Sequence, residues 1–279
     1  MSVDFLAIGH VARDEFEGEP TWRLGGTALY AAATAARLGT QTALVTRVGP
    51  AEQAALEERC RELGLALHAL PSSATTTFGF RYVEGRRLLR LKARARGIAP
   101  SDVPAEWRGA RAVVLGSVAH ELDRSLFGTT SASATVLVAQ GYLREWSADG
   151  AIQPRAWEDA DEIVPQVSAV VLSEDDVGGD ISAPRRWARN GRVYVTLAER
   201  GVLVLERGSE TTIAGYSAAR VVDPTGAGDA FAAGLAIALA DGQPAEDCAK
   251  FANAVASFAV EDVGMAGLAD RAHVDARMR

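Results

Sequence analysis

The sequence predicts an α/β protein whose doubly wound, mostly parallel sheet is flanked by helices and carries a small β lid. Short apolar runs of strand length alternate with stretches of helix length through most of the chain, which is typical of parallel strands joined by helical crossovers. One stretch in the first third instead alternates polar and apolar residues. No repeat, linker or low-complexity tract divides the chain, so residues 1–279 are expected to form a single domain.

Six apolar runs predict buried strands, because they lack the regular alternation of a strand with one solvated face. They are residues 3–9, 41–49, 111–117, 135–140, 168–173 and 192–197. Helices are predicted at residues 27–38 and 51–63, each followed by a glycine, and as a pair after residue 223, separated by residues 241–244. Residues 201–206 are expected to pair with the preceding strand as an antiparallel edge of the sheet.

The lid is expected at residues 14–24 and 75–92. Residues 14–24 are polar with Gly18 and Pro20, and they leave room only for a small strand pair. Residues 75–92 alternate around a turn at Glu84-Gly85, which predicts an antiparallel hairpin. Such a hairpin is either a solvated sheet edge or a flap over a pocket.

Composition favours small-molecule chemistry. The net charge of −7 and the pI near 5.2 argue against a nucleic-acid or anionic-membrane surface. Cys60 and Cys248 are far apart, which excludes a disulfide framework or a cysteine metal cluster. No charged leader with an apolar run opens the chain, and no apolar stretch reaches the roughly 20 residues that span a bilayer. We therefore expect a cytoplasmic protein without nucleic-acid or membrane partners.

The most informative stretch is residues 221–239, which reads as a tight turn that feeds an apolar helix. Pro224 keeps the preceding residue out of the helical region, and Gly226 and Gly228 permit close backbone approach. Gly226, Ala227 and Gly228 would then present backbone N–H groups at a helix N-terminus, which suits an anion. Asp229 would repel that anion unless it has another task, such as taking a proton from a hydroxyl. The alternative is an ordinary acidic residue in a first helical turn.

Two standard phosphate-binding motifs do not fit this stretch. A Walker loop requires a lysine after its last glycine, and none is present here. A Rossmann fingerprint requires glycine where Phe231 stands.

Two further candidates lie near the N-terminus. Asp14 follows the first predicted strand, and ligands of doubly wound sheets bind outside the carboxyl ends of strands. It is either a site residue or an ordinary polar loop residue. Gly25 and Gly26 open the first predicted helix, where paired glycines allow a ligand to reach the backbone or simply make a turn.

Taken together, these motifs resemble the ribokinase-like, or PfkB, family of sugar and nucleoside kinases over essentially the full chain. Residues 223–229 resemble the family signature Asp-Thr-x-Gly-Ala-Gly-Asp, with Pro224 at a variable site. Gly25-Gly26 resembles the second signature, and Leu38-Gly39 and Val48-Gly49 follow it in the expected order.

The resemblance implies a role for each matching residue. Asp229 would be the base that deprotonates the acceptor hydroxyl, and residues 226–228 would bind the transferring phosphoryl group. Asp14, Gly25 and Gly26 would hold the acceptor. Thr196 and Gly201 would contact the nucleotide, Asn253 the adenine, and Asp223 and Thr225 a monovalent cation such as K⁺. ATP and Mg²⁺ are the implied cofactors.

Three departures from the family pattern matter. The family's Asn-x-x-Glu stands here as Ser173-Glu174-Asp175-Asp176, so Glu174 or Asp176 would take the acid's role at Mg²⁺ without the asparagine. The ribokinase sugar loop has lysine and asparagine where this chain has Thr27 and Tyr30, which disfavours ribose. The lid segment is short, which weakens the expectation of a lid-swapped dimer and leaves a monomer and a homodimer open.

Where it departs from the ribokinase pattern, the chain resembles the myo-inositol kinase branch. This resemblance includes Leu24 before the paired glycines, Gln140-Gly141-Tyr142-Leu143-Arg144, and Asp149-Gly150. Arg144 would face a polyol or a phosphate, or be a surface arginine. The sequence thus predicts an ATP-dependent kinase acting on a polyol, sugar or nucleoside, with a myo-inositol-like polyol favoured. The alternative is a non-catalytic regulator that binds a polyol or nucleotide on the same fold.

Overall fold

The structure, a computed structural model, describes residues 3–83 and 86–279. Its strands are β1 Phe5–Gly9, β2 Ala12–Phe16, β3 Trp22–Gly25, β4 Thr42–Val48, β5 Ala66–Pro71, β6 Thr76–Val83, β7 Arg86–Ala93, β8 Ala112–Gly116, β9 Ala134–Val138, β10 Arg144–Trp146, β11 Ile152–Pro154, β12 Ala169–Ser173, β13 Arg192–Thr196, β14 Val202–Glu206 and β15 Ser209–Ile213. Its α-helices are α1 Thr27–Arg37, α2 Pro50–Leu63, α3 Ala160–Ile163, α4 Ser182–Trp187, α5 Ala227–Ala240, α6 Ala245–Ala259 and α7 Arg271–Arg277.

The main sheet has nine strands in the order β15-β14-β13-β12-β9-β8-β1-β4-β5. The seven strands from β13 to β5 are parallel, and β14 and β15 add an antiparallel edge. This confirms the predicted fold class. The two outermost strands were not predicted, since β5 is half-buried and β15 is mostly exposed, so neither has the apolar run of a central strand.

Hydrophobic layers cover both faces of the sheet. On one face α1, α5 and α6 pack with many alanines, and their small side chains let the helices lie close to the strands and to each other. The other face buries larger residues, including Trp157 and Trp187. Because both faces are covered, the central strands read as continuous apolar runs.

A second sheet of four strands, in the order β3-β2-β6-β7, forms the lid. Strands β6 and β7 are the expected antiparallel hairpin, and the predicted turn at Glu84-Gly85 lies outside the described residues. Strand β2 starts at Ala12, directly after β1, and pairs with β3 on one side and β6 on the other. Asp14 therefore lies inside a lid strand and not in a loop.

A short hairpin, β10–β11, packs against the lid and was not predicted. Gly150 in its turn has φ of 85°, and its carbonyl accepts a hydrogen bond from Leu91 N at 2.8 Å. Trp146 and Ile152 pack with Phe78 and Leu91 of the lid. The hairpin thus places Arg144, its first residue, beneath the lid.

Buried polar contacts join the lid to the main sheet. The ring of His10 is hydrogen-bonded through Nδ1 to Thr76 Oγ1 at 2.7 Å and through Nε2 to Arg96 O at 2.8 Å. Glu121 accepts from His10 N at 3.1 Å. On the other side, the buried Glu52 of α2 accepts from Thr75 Oγ1 at 2.6 Å. Both ends of the β6–β7 hairpin are therefore anchored to the core.

Across the part of the chain that the structure describes, no helix is both long enough and apolar enough to cross a membrane.

Candidate active site

The turn before α5 is built as the glycine pattern predicts. Gly226 caps the helix in the left-handed conformation, with φ of 84°. A methyl group added at Gly226 would lie 2.2 Å from Tyr30 Cδ1, so glycine is needed there for packing as well as for conformation. A methyl group at Gly228 would meet nothing within 4 Å. The helix N-terminus at Gly228 is therefore open to a ligand.

Asp223 holds the turn in place. Its Oδ1 accepts from Thr225 N at 2.9 Å and its Oδ2 from Gly264 N at 3.3 Å. The carboxylate thus ties the turn to the segment after α6. The monovalent cation that the resemblance implies at Asp223 and Thr225 stays a prediction. The described residues contain no group of three or more His, Cys, Asp or Glu side chains that could hold a metal ion.

Asp229 lies in the first turn of α5 and is partly buried. Burial raises the pKa of its carboxyl to about 6. Interaction with the Thr27 hydroxyl and the positive charge of Arg144 lower this pKa, whereas the charge of Asp176 raises it. The carboxyl therefore ionises near neutral pH, which suits a proton acceptor.

Arg144 and Asp176 form a partly buried pair beside Asp229. Arg144 Nη2 lies 3.7 Å from Asp176 Oδ1. The other carboxylate oxygen, Oδ2, accepts from Ser173 N at 2.9 Å, which caps the short helical turn after β12. Glu174 instead pairs with Arg200. Of the two acids expected at Mg²⁺, Asp176 is the one that interacts with Asp229 and Arg144.

Tyr30 was seen in the sequence only as a departure from the ribose loop, yet the structure places it within the site. Burial, and then the charges of Asp229, Asp223 and Asp14, raise the pKa of its hydroxyl, which therefore stays protonated. Thr27 was missed in the same way. Both residues lie in the first turn of α1, directly after the paired glycines, and that position is the signal that could have identified them.

The acceptor candidates meet where the lid joins α1. Asp14 is buried, and a methyl group added at Gly25 would lie 2.1 Å from its Oδ2. Gly26 has φ of 94°, and an added methyl group would lie 2.4 Å from His10 O. These glycines allow β2 and the start of α1 to approach closely. The structure thus brings Asp14, Gly25 and Gly26 to the helix that carries Thr27.

A cleft of about 850 Å³ lies at the lid and the β10–β11 hairpin. Arg144 and several other charged residues, including Glu15 and Lys92, line this cleft together with apolar residues such as Phe16 and Phe80. Phe16 and Phe80 are stacked, with ring centroids 4.8 Å apart. The cleft therefore combines a charged group next to Asp229 with an aromatic wall.

The donor candidates lie around β13 and β14. Thr196 Oγ1 is 3.4 Å from Leu172 O, and Gly201 has φ of 102° where a methyl group would lie 2.1 Å from Ile213 O. Asn253 is buried, and its Nδ2 donates to Ile213 O at 3.2 Å and to Ala214 O at 3.0 Å. In the structure Asn253 joins α6 to the end of β15, and its predicted adenine contact stays a prediction.

An apolar patch lies beside the turn before α5. It consists of Val221, Val222 and Val263, which are exposed. Val222 N donates to Val260 O at 2.7 Å, and Gly264 is bonded to Asp223, so the three valines lie on neighbouring segments. Exposed apolar side chains that lie together mark a candidate ligand-binding surface.

The fold and the site define a doubly wound α/β protein with a carboxylate at a glycine-capped helix N-terminus and a β lid opposite. The model of the pfkB family carbohydrate kinases matches residues 16–270. The chain belongs to this family.

Named relatives agree with the fold. The inositol 3-kinase of Zea mays is 33% identical over 210 residues, which are 70% of this chain and 53% of that protein, so the chain spans about half the length of this relative. A pyrophosphate-dependent ribokinase-family kinase, solved with a pyrophosphate analogue and myo-inositol, superposes with a TM-score of 0.79 at 22% identity over 98% of this chain and 99% of its own. The ribokinase of Arabidopsis thaliana with ribose and ATP gives 0.72 at 21% identity over 100% and 99%.

Proposed function

We propose that this protein is an ATP-dependent kinase that transfers the γ-phosphoryl group to a hydroxyl of a small polyol of the myo-inositol type. The observation that carries the proposal is the setting of Asp229, an acid with a pKa of about 6 at an open helix N-terminus, whose charged form the Thr27 hydroxyl and the Arg144 charge favour. The family and the similarity to an inositol 3-kinase support it.

In this reaction the acceptor hydroxyl loses its proton to the Asp229 carboxylate as its oxygen bonds to the γ-phosphorus. The bond from that phosphorus to the β,γ-bridging oxygen breaks, and ADP leaves. Backbone N–H groups of residues 226–228 stabilise the phosphoryl oxygens, and Arg144 adds positive charge. Asp14 would accept hydrogen bonds from other acceptor hydroxyls, which orients the reacting one.

Asp176 has the donor chemistry to hold Mg²⁺, because such a site needs only one or two carboxylates with the donor's phosphates. Bound there, Mg²⁺ would neutralise phosphate charge. Glu174 is less suited because Arg200 occupies its carboxylate. A K⁺ ion at Asp223 and Thr225 stays a prediction, and initial rates in K⁺ and in tetramethylammonium salts would test it.

The apolar patch favours ATP over pyrophosphate as the donor. Pyrophosphate has no apolar part, whereas an adenine ring would cover Val221, Val222 and Val263. Val222→Asp is therefore expected to raise KM for ATP about tenfold and to leave any activity with pyrophosphate unchanged. Met278→Asp, at another exposed apolar residue near the C-terminus, is the control. Faster turnover with pyrophosphate than with ATP in the unaltered protein would rule out ATP as the preferred donor.

A nucleoside is the second candidate acceptor, and the stacked pair Phe16 and Phe80 favours it. A purine or pyrimidine could pack on this aromatic wall, whereas a polyol has no aromatic face. Phe80→Ala discriminates between the two, since it should raise KM for a nucleoside much more than for myo-inositol.

The deciding experiment is a phosphotransfer assay with ATP or pyrophosphate, Mg²⁺ and a panel of polyols, sugars and nucleosides. We expect product with myo-inositol and a loss of about 10²- to 10⁴-fold in kcat for Asp229→Asn. Asp241→Asn, at the other end of α5, is the matched control and should keep full activity. Calorimetry that shows nucleotide binding without turnover on any acceptor would favour the non-catalytic regulator.

A further inference from the structure

His120 adopts an unusual backbone conformation near the candidate site. It lies in the loop after β8, at the carboxyl edge of the main sheet, with φ of 54°. Few residues other than glycine adopt a positive φ, and the conformation persists only where the surroundings hold it. Arg94 supplies part of that support, because its Nε and Nη2 donate to Ala119 O at 2.6 Å and to His120 O at 2.7 Å.

The ring of His120 is held on both nitrogens. Nε2 is 2.5 Å from Arg144 O, and since a carbonyl only accepts, Nε2 carries the proton. Nδ1 is then the acceptor for Arg155 Nη1 at 3.4 Å. Both contacts are satisfied by the neutral ring. Burial, and then the charges of Arg155 and Arg94, lower the pKa of His120. The hydrogen bond to Arg144 O and the charge of Glu121 oppose this shift, and the net pKa is lowered.

The same ring packs on the hairpin that it binds. Its centroid is 4.9 Å from that of Trp146, two residues beyond Arg144, and Arg94 also lies over Trp146. Arg155, at the far end of the hairpin, donates its backbone N–H to Leu143 O at 2.8 Å. His120 therefore contacts β10 in two ways, through the carbonyl oxygen of Arg144 and through the ring of Trp146.

We propose that His120 is a positioning residue that fixes the backbone of Arg144 and so places the Arg144 guanidinium beside Asp229 and Asp176. The Arg144 guanidinium lies 3.7 Å from Asp176 Oδ1, at the other end of the residue from the carbonyl that His120 holds. A fixed backbone limits where such a side chain can reach, and small displacements at a reaction centre cost rate. This proposal rests on the proposed function, because Asp229 is the group that Arg144 acts on.

The test is His120→Asn, which tolerates a positive φ but is too short to reach Arg144 O. Without a fixed Arg144, the carboxylate of Asp229 loses a stabilising charge, so the acidic limb of the kcat/KM profile should move to higher pH. The move should be in the same direction as for Arg144→Met and smaller. We also expect about tenfold lower kcat. His120→Gln, whose amide can still donate to Arg144 O, should recover part of the loss.

The double variant His120→Asn with Arg144→Met separates positioning from a general structural effect. If His120 acts through Arg144, adding His120→Asn to Arg144→Met should produce no further shift. An additive shift, or an unshifted profile in the single variant, overturns the proposal. His68→Asn is the control, because His68 also packs against a tryptophan, Trp107, but on the distant edge strand β5.

A readout independent of turnover keeps the two proposals apart. In the nitrogen NMR spectrum of the unliganded protein, His120 should show a protonated Nε2 and an unprotonated Nδ1, and its ring should become charged only at a lower pH than that of a free histidine. A ring that becomes charged at a higher pH than a free histidine, or the opposite tautomer, contradicts the positioning role even in an active protein. An outcome that contradicts the proposed function would instead be full turnover in Asp229→Asn, with the NMR spectrum of His120 unchanged.

Discussion

Thr27 and Asp229 lie 202 positions apart in the chain, yet the hydroxyl of Thr27 interacts with the Asp229 carboxyl and lowers its pKa. The contact joins the first turns of α1 and α5, the two helices whose N-termini follow the paired glycines and the Gly226 cap. A methyl group added at Gly116 would lie 2.6 Å from Thr27 Cγ2, so the Thr27 side chain is fixed from behind. The proposed base is thus oriented by a residue from the acceptor side of the site.

Thr27→Val tests this contact, because valine keeps the shape and removes the donor. The Thr27 hydroxyl lowers the pKa of Asp229, so its removal should raise that pKa and move the acidic limb of the rate profile to higher pH. We also expect kcat to fall about tenfold. Thr34→Val is the matched control, since Thr34 is buried in the same helix but donates to Tyr30 O. Identical profiles for Thr27→Val and the unaltered protein would show that the hydroxyl does not act on the base.

Asp229→Asn should make the protein more stable at pH 8. A carboxyl whose pKa is raised from 3.8 to about 6 by folding favours the protonated form in the native state. Its ionisation therefore costs stability above pH 6, and the cost disappears as the pH falls below about 4. Asparagine avoids this cost, which is about 3 kcal/mol at pH 8 for a carboxyl whose pKa rises from 3.8 to about 6. Thermal unfolding of Asp229→Asn and of the unaltered protein from pH 4 to 8 measures this cost. If the variant is less stable than the unaltered protein at pH 8, ionisation of Asp229 does not destabilise the fold.

Local sequence patterns predicted the elements whose causes are local. The central strands are apolar because both sheet faces are covered, and the turn before α5 needs Gly226 for its positive φ. The fold class and the family follow from such features. The glycine turn was enough to place Asp229 in the first turn of a helix, whereas Asp14 was expected after the first strand and lies within β2.

The remaining features depend on contacts between distant segments, which a single sequence does not encode locally. Tyr30 contacts Gly226 only because α1 and α5 pack together. The hairpin that carries Arg144 has strands of three residues, too short for a periodic signal, and it is held by the lid. Asn253 has no local feature that separates a ligand contact from the bonds it makes to Ile213 and Ala214.

Gly226→Ala and Gly228→Ala should have opposite consequences, although they are two residues apart. At Gly226 a methyl group meets the Tyr30 ring at 2.2 Å and the backbone has φ of 84°, so we expect a loss of about 1–3 kcal/mol in unfolding free energy. At Gly228 the space is open, so stability should be unchanged or slightly higher, while the added methyl group obstructs an anion at the helix N-terminus. Urea unfolding and KM for the donor together distinguish the two variants. Equal losses of stability would contradict the open space beside Gly228.

Asn253→Ala discriminates between a structural and an adenine-binding role for this side chain. The amide donates to two carbonyls at the end of β15, and its removal leaves these buried acceptors without that donor. We expect a loss of about 1–3 kcal/mol and a thermal midpoint lower by several degrees, with KM for ATP changed less than threefold. Lys250→Ala, exposed on the same helix, is the control. Unchanged stability with a large increase in KM for ATP would instead establish the adenine contact, because a side chain committed to the β15 carbonyls cannot be removed without cost to the fold.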